Sequence, residues 1–158
     1  MEPLPNTRLT IVKKIKKKLK EVKPQKDYGY VYVYRLEGDV ANRYKVGTTK
    51  REPKKRLKEW SNIHTLPLIT EIIWEVPVGC KWVERMIHLY LDPYRLIRYE
   101  LDSGQFTDYM YANGTPTVKG VSMHRHVEWF SVELKVIEKW VETLIDFIVN
   151  QRPVQPGQ

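Results

Sequence analysis

Tyr32, Lys45, Arg56, Glu84 and His88 are the residues of this 158-residue chain whose chemistry suits a phosphodiester. A guanidinium holds phosphate oxygens through a fork of N–H donors. A carboxylate such as Glu84 can hold Mg²⁺, which takes only one or two protein carboxylates and keeps its waters. A phenol can exchange a proton or touch a sugar, and an ammonium beside it would favour the phenolate. Each has an ordinary alternative. Arg56 can stack on Trp60 and pair with a core carboxylate. Glu84 can pair with Arg85 or Lys81, and His88 can be a structural hydrogen-bonder.

The elements that must position these groups follow from periodicity. Residues 28–36 alternate as a strand, with Tyr28, Tyr30, Tyr32 and Tyr34 on one face and Val31 and Val33 on the other. Gly38, Asp39 and Asn42 mark a turn, and residues 43–48 return as the second strand of a hairpin. Pro53 suits a helix start, and the helix runs to about Trp60. Projected at about 100° per residue, Arg56 lines up with Trp60 and Ile63 on the inward side, with Lys54, Lys55 and Lys58 opposite. Residues 69–78 read as a third strand. The helix from Lys81 to Leu91 is apolar around most of its circumference. Lys81, Glu84, Arg85, His88 and Asp92 share one narrow polar stripe, which suggests a wet cleft. Residues 95–127 read as an insertion with a short hairpin. Ser131 is placed to cap a long last helix with an apolar stripe from Val136 to Ile148. The expected organisation is a basic extension over 1–27, helical at 7–23, a domain over 28–150, and a disordered tail over 151–158.

Charge is distributed unevenly. The chain carries +8 overall, with +6 in residues 1–27 and +7 in residues 43–58. The remainder is therefore acidic. A positive stripe on an acidic body suggests a local polyanion site, and a solvated lysine-rich helix face is the alternative. Arg43, Lys50, Arg51, Lys54, Lys55 and Lys58 are the candidate DNA contacts. The basic helix at 7–23 could dock on the domain, lie along a nucleic acid, meet an acidic membrane or serve in nuclear import. The longest apolar run is too short to span a bilayer, and a signal peptide is not evident. An intracellular protein is expected, with the nucleus one open location if the host is eukaryotic. The single cysteine, Cys80, reads as a small buried apolar group. His124 and His126 alternate in a loop with few acidic neighbours, too weak a signal to assign a metal. No glycine-rich phosphate loop or acyl-transfer motif is present, so no small-molecule cofactor is expected.

From Tyr28 to Phe130 the chain resembles the GIY-YIG nuclease superfamily, in its phage-derived DNA-binding branch. Val31-Tyr32 within Gly29-Tyr-Val-Tyr-Val fits the first motif and Lys45-Val46-Gly47 the second. Arg56 fits the helix arginine, Glu84 with His88 the metal-binding glutamate helix, and Glu128-Trp-Phe130 the closing segment. Tyr30 stands where the first motif usually has glycine, and Lys45 where the second usually has tyrosine. The resemblance implies an α+β fold: a small three-stranded antiparallel sheet flanked by helices, here with an extra N-terminal basic helix. It implies a Mg²⁺- or Mn²⁺-dependent endonuclease acting on DNA. Glu84 would hold the metal, Arg56 would stabilise the pentacovalent phosphorus, and Tyr32, helped by Lys45, would take a proton from water. A DNA-binding module without cleavage, with Tyr30 or Tyr34 touching sugars, is the alternative. A protein-interaction domain is a second.

Overall fold

The computed structural model describes residues 11–13, 26–114 and 123–150. Its sheet has seven strands: β1 (Ile11–Lys13), β2 (Gly29–Leu36), β3 (Arg43–Thr49), β4 (Leu68–Val76), β5 (Arg95–Leu101), β6 (Phe106–Met110) and β7 (Met123–Ser131). Their order across the sheet is β1-β4-β2-β3-β7-β5-β6. β1 runs parallel to β4, and the other six strands pair antiparallel. Three α-helices complete the described fold: α1 (Pro53–Ile63), α2 (Cys80–Leu91) and α3 (Leu134–Asn150).

This corrects the expected three-stranded sheet. The hairpin β2–β3 and strand β4 are present, but β5, β6 and β7 extend the same sheet. Residues 11–13 form a strand, not part of a helix. The rest of the expected helix at 7–23, and the tail at 151–158, lie outside the described residues. Ser131 ends β7, and α3 starts at Leu134.

Both sheet faces are covered. Val31, Val33, Val46, Ile72, Trp74 and Val76 meet Val83, Ile87 and Leu91 of α2 and Ile137, Val141 and Ile145 of α3. Trp74 Nε1 donates to Glu142 Oε2 at 3.1 Å, tying sheet to helix. Tyr32, Tyr34, Leu36, Ile73, Leu96 and Trp129 form the other face, beneath Leu57 and Trp60 of α1. Burying a large apolar side chain contributes about 1.5–3 kcal/mol, so each face is a substantial core. A bulge on β4 between the Val33 and Tyr34 pairings sets off Glu71, which accepts from Arg35 Nε at 2.7 Å.

Helix α2 starts where Gly79 takes a left-handed φ of 73°. A Cβ there would lie 2.7 Å from Ile148 Cγ1, so glycine permits both the turn and the approach of α3. Asp27 Oδ2 accepts the Gly79 N–H at 2.7 Å. α2 is less enclosed than its sequence suggests. Val83, Ile87 and Leu91 face the core, while Leu89 and Tyr90 are exposed. No described helix is long and apolar enough to cross a membrane.

Candidate active site and nucleic-acid interface

Cross-strand register places Tyr32 opposite Gly47 and Tyr34 opposite Lys45 on one face of the hairpin. The Tyr32 ring lies flat over Gly47: a Cβ there would sit 2.5 Å from Tyr32 Cζ. Glycine at this position is what lets the phenol cross the neighbouring strand. Above it stands Trp60, whose Nε1 donates to the Tyr32 hydroxyl at 2.8 Å. The same indole carries two cations on its ring. Lys45 Nζ is 4.3 Å and Arg56 Cζ 4.8 Å from its centroid, both within cation–π range. Arg56 and Trp60 are thus neighbours on α1, as their spacing predicts. Ile63, expected on the same inward side, is exposed, and Leu57 fills that role.

Burial dominates the chemistry of these groups. Tyr32 is 1% exposed and Lys45 3%. Burial raises the Tyr32 pKa, against the opposing pull of the Trp60 hydrogen bond and the Arg56 charge. The phenol therefore stays protonated at neutral pH. Burial also brings Lys45 down to about 8; Glu128 opposes this and Arg56 adds to it. Tyr34 is fully buried and cannot touch a sugar.

Glu128 sits where the sheet opens. β3 pairs with β7 at Arg43, Tyr44 and Lys45, whereas from Val46 to Thr49 its pairing is with β2. Across the gap, β7 carries an extra residue opposite β5 at Val127–Glu128. Glu128 Oε2 lies 3.8 Å from Lys45 Nζ, and its charge also acts on Tyr32 and His88. From the α2 side, Glu84 accepts from Thr48 Oγ1 in the parted stretch of β3. His88 lies one turn further along, feels Glu84 and Glu128, and is driven down in pKa by burial. Tyr32, Lys45 and Arg56 therefore gather around Trp60, while Glu84 and His88 approach from the opposite face of the sheet, with Glu128 between. Sequence placed Trp60 beside Arg56 and Glu128 in the closing segment, but gave neither a role in the site. Glu84 is half-buried, with one oxygen engaged by Thr48.

The basic candidates divide. Lys54, Lys55 and Lys58 are exposed on the outer face of α1. Lys50 Nζ donates to the Lys26 carbonyl at 3.0 Å. Arg51 grips Glu59 with both terminal nitrogens, at 3.0 and 2.7 Å. Glu59 also accepts from Arg56 at 3.0 Å, and these arginine bonds hold its carboxyl down to about 2. Arg43 is engaged inside the fold, by Asp108 at 3.2 Å and Ser131 at 2.8 Å. Cys80 is buried, and burial pushes its thiol up to about 12.

Such a layout, a cationic helix laid over a phenol-bearing hairpin on an antiparallel sheet, defines an α+β domain suited to polyanions. The chain belongs to the T5orf172 domain family, whose model matches residues 29–145. This is a phage-associated, nuclease-like DNA-binding domain. It is a family distinct from GIY-YIG, so the match overturns the resemblance drawn from the five motifs. No curated protein and no solved structure matches the chain.

Proposed function

We propose that this domain binds DNA along α1 and the Glu128 seam and hydrolyses a phosphodiester there with a divalent metal. What supports this reading is the single indole that gathers Tyr32, Lys45 and Arg56, with Glu84 reaching the same seam through Thr48. Lys54, Lys55 and Lys58 meet flanking phosphates. Arg56, the most open of the three groups around Trp60, pairs with a phosphate oxygen and stabilises charge as it builds at phosphorus. Glu84 would hold Mg²⁺ or Mn²⁺ from the α2 side of the seam, and the ion would supply Lewis-acid stabilisation of that charge. Tyr32 remains a phenol and donates a hydrogen bond. Lys45, with a pKa near the working pH, is better tuned than Tyr32 to accept a proton. A nicking assay on supercoiled plasmid tests it. Mg²⁺-dependent nicking by the wild type, lost in Glu84→Ala, is the expected outcome. Equal inertness of both proteins across varied substrates ends the catalytic reading.

A non-catalytic DNA-binding module is the second reading. The burial of Tyr32 and Lys45 beneath Trp60 favours it, because a phosphate must displace the indole to touch either. DNA retardation without nicking selects it.

A further inference from the structure

Behind Trp60, three side chains from separate segments converge in the core. His64 follows α1, Glu100 lies on β5 and His126 on β7, and all three are buried. One ligand atom from each falls within 4.8 Å of the others. His64 Nδ1 is 2.7 Å and His126 Nε2 3.0 Å from the same oxygen, Glu100 Oε1. We propose that His64, Glu100 and His126 form a structural metal centre for a divalent transition ion, zinc foremost.

Two imidazoles and a carboxylate are a recognised three-residue zinc donor set, with bonds of about 2.0–2.2 Å and a water to complete the tetrahedron. Tetrahedral bonds of that length set neighbouring ligand atoms roughly 3.3 Å apart. Each nitrogen would therefore draw back from Glu100 Oε1 by roughly 0.3–0.6 Å, in a cluster whose ligand atoms already lie within 4.8 Å of one another. The surrounding hydrogen bonds already suit the metal-bound form. Thr65 N–H donates to the other oxygen, Glu100 Oε2, at 2.9 Å. The outer nitrogen of His64, Nε2, meets the Tyr34 hydroxyl at 2.8 Å. Partners of this kind fix the ring and orient the carboxylate.

Charge points the same way. A carboxylate in an aromatic core is costly unless compensated. The nearby guanidinium of Arg98 is committed to Asp39 and Asp108, at 2.7 Å each. The ion would pin β5 and β7 to the end of α1, and so fix Trp60 over Tyr32. It is separate from the ion proposed at Glu84.

The full chain, stripped with a chelator and titrated with Co²⁺, gives the test. One equivalent should produce visible d–d bands of a low-symmetry site, displaced by Zn²⁺, and Zn²⁺ should raise Tm by mass action. Glu84→Ala should keep bands and shift, whereas His126→Gln should lose both. Zinc content after expression in zinc-supplemented medium covers a variant that fails to fold: about one ion per wild-type chain is expected. A wild type without bands, Tm shift or bound zinc overturns the centre, as does His126→Gln retaining all three. Either result leaves the nicking assay to stand or fall alone.

Discussion

The indole N–H of Trp60 donates to the hydroxyl of Tyr32 at 2.8 Å, and so takes up one of the lone pairs with which the phenol would accept a proton. The bond links the cationic helix to β2, an interior strand of the sheet. It also sets the direction left for the Tyr32 proton. Trp60→Phe keeps a ring for Lys45 and Arg56 but removes the donor. Stability should fall by about 1 kcal/mol for the missing hydrogen bond. The Tyr32 pKa, already raised by burial, should rise further because a stabilising partner of the phenolate has gone. Carbon-13 labelling of tyrosine Cζ, followed by NMR through alkaline pH, reads the shift; an unchanged Tyr32 titration contradicts it.

Gly47→Ala should be costly for a reason unrelated to backbone conformation. The new methyl meets the Tyr32 ring, which is itself buried under Trp60. Overpacking of this kind costs about 1–3 kcal/mol. Adding Tyr32→Ala should recover part of the loss, since the two side chains meet each other directly. Urea midpoints of both single variants and the double variant measure the coupling. Strict additivity would show that the clash is relieved elsewhere.

Lys45 should leave a signature in stability against pH. Burial lowers its folded-state pKa to about 8 from the ordinary 10.5. Between those values the unfolded chain binds the proton and the folded chain does not. Lys45 therefore destabilises the fold fully below pH 8, and that penalty is relieved as pH rises towards 10.5. Its size is about 3 kcal/mol, at 1.36 kcal/mol per pKa unit. Lys45→Met should be the more stable protein at pH 7 and should lack the rise. Because tyrosines also titrate in this range, the difference between the two denaturation profiles is the quantity to measure.

DNA affinity should respond to the outer face of α1 more than to Arg43. Lys54, Lys55 and Lys58 are exposed, whereas Arg43 is engaged by Asp108 and Ser131. Changing the three lysines to Gln should flatten the dependence of log K on log salt by about 0.9 for each phosphate that a lysine no longer neutralises. Arg43→Gln should leave the slope nearly unchanged and lower Tm instead. Fluorescence anisotropy with a duplex over a salt series separates these outcomes.

The hairpin, α1, β4, α2 and α3 were legible because each carries a local pattern: alternation in Gly29–Leu36, Pro53 at a helix start, an apolar stripe along Leu134–Asn150. Of β5 to β7, the sequence suggested only a short hairpin within residues 95–127, and not that these strands join the main sheet. Their inward positions include Arg98, Glu100 and His126, which break the alternation on which a strand reading depends. These residues are tolerated inside because Asp39, Asp108, His64 and Thr65 satisfy them from distant parts of the chain. Periodicity cannot register a partner 36 or 59 residues away.

For the site the division is similar. The residue types of Tyr32, Lys45, Arg56 and Glu84, and the strand or helix bearing each, belong to local sequence. Which of them meet depends on cross-strand register, on the glycine that lets Tyr32 lie over β3, and on the point where β3 leaves β7. Desolvation, too, exists only once the chain has closed. It keeps Tyr32 a phenol and lowers Lys45, since a side chain's proton affinity depends on the solvent that its neighbours exclude.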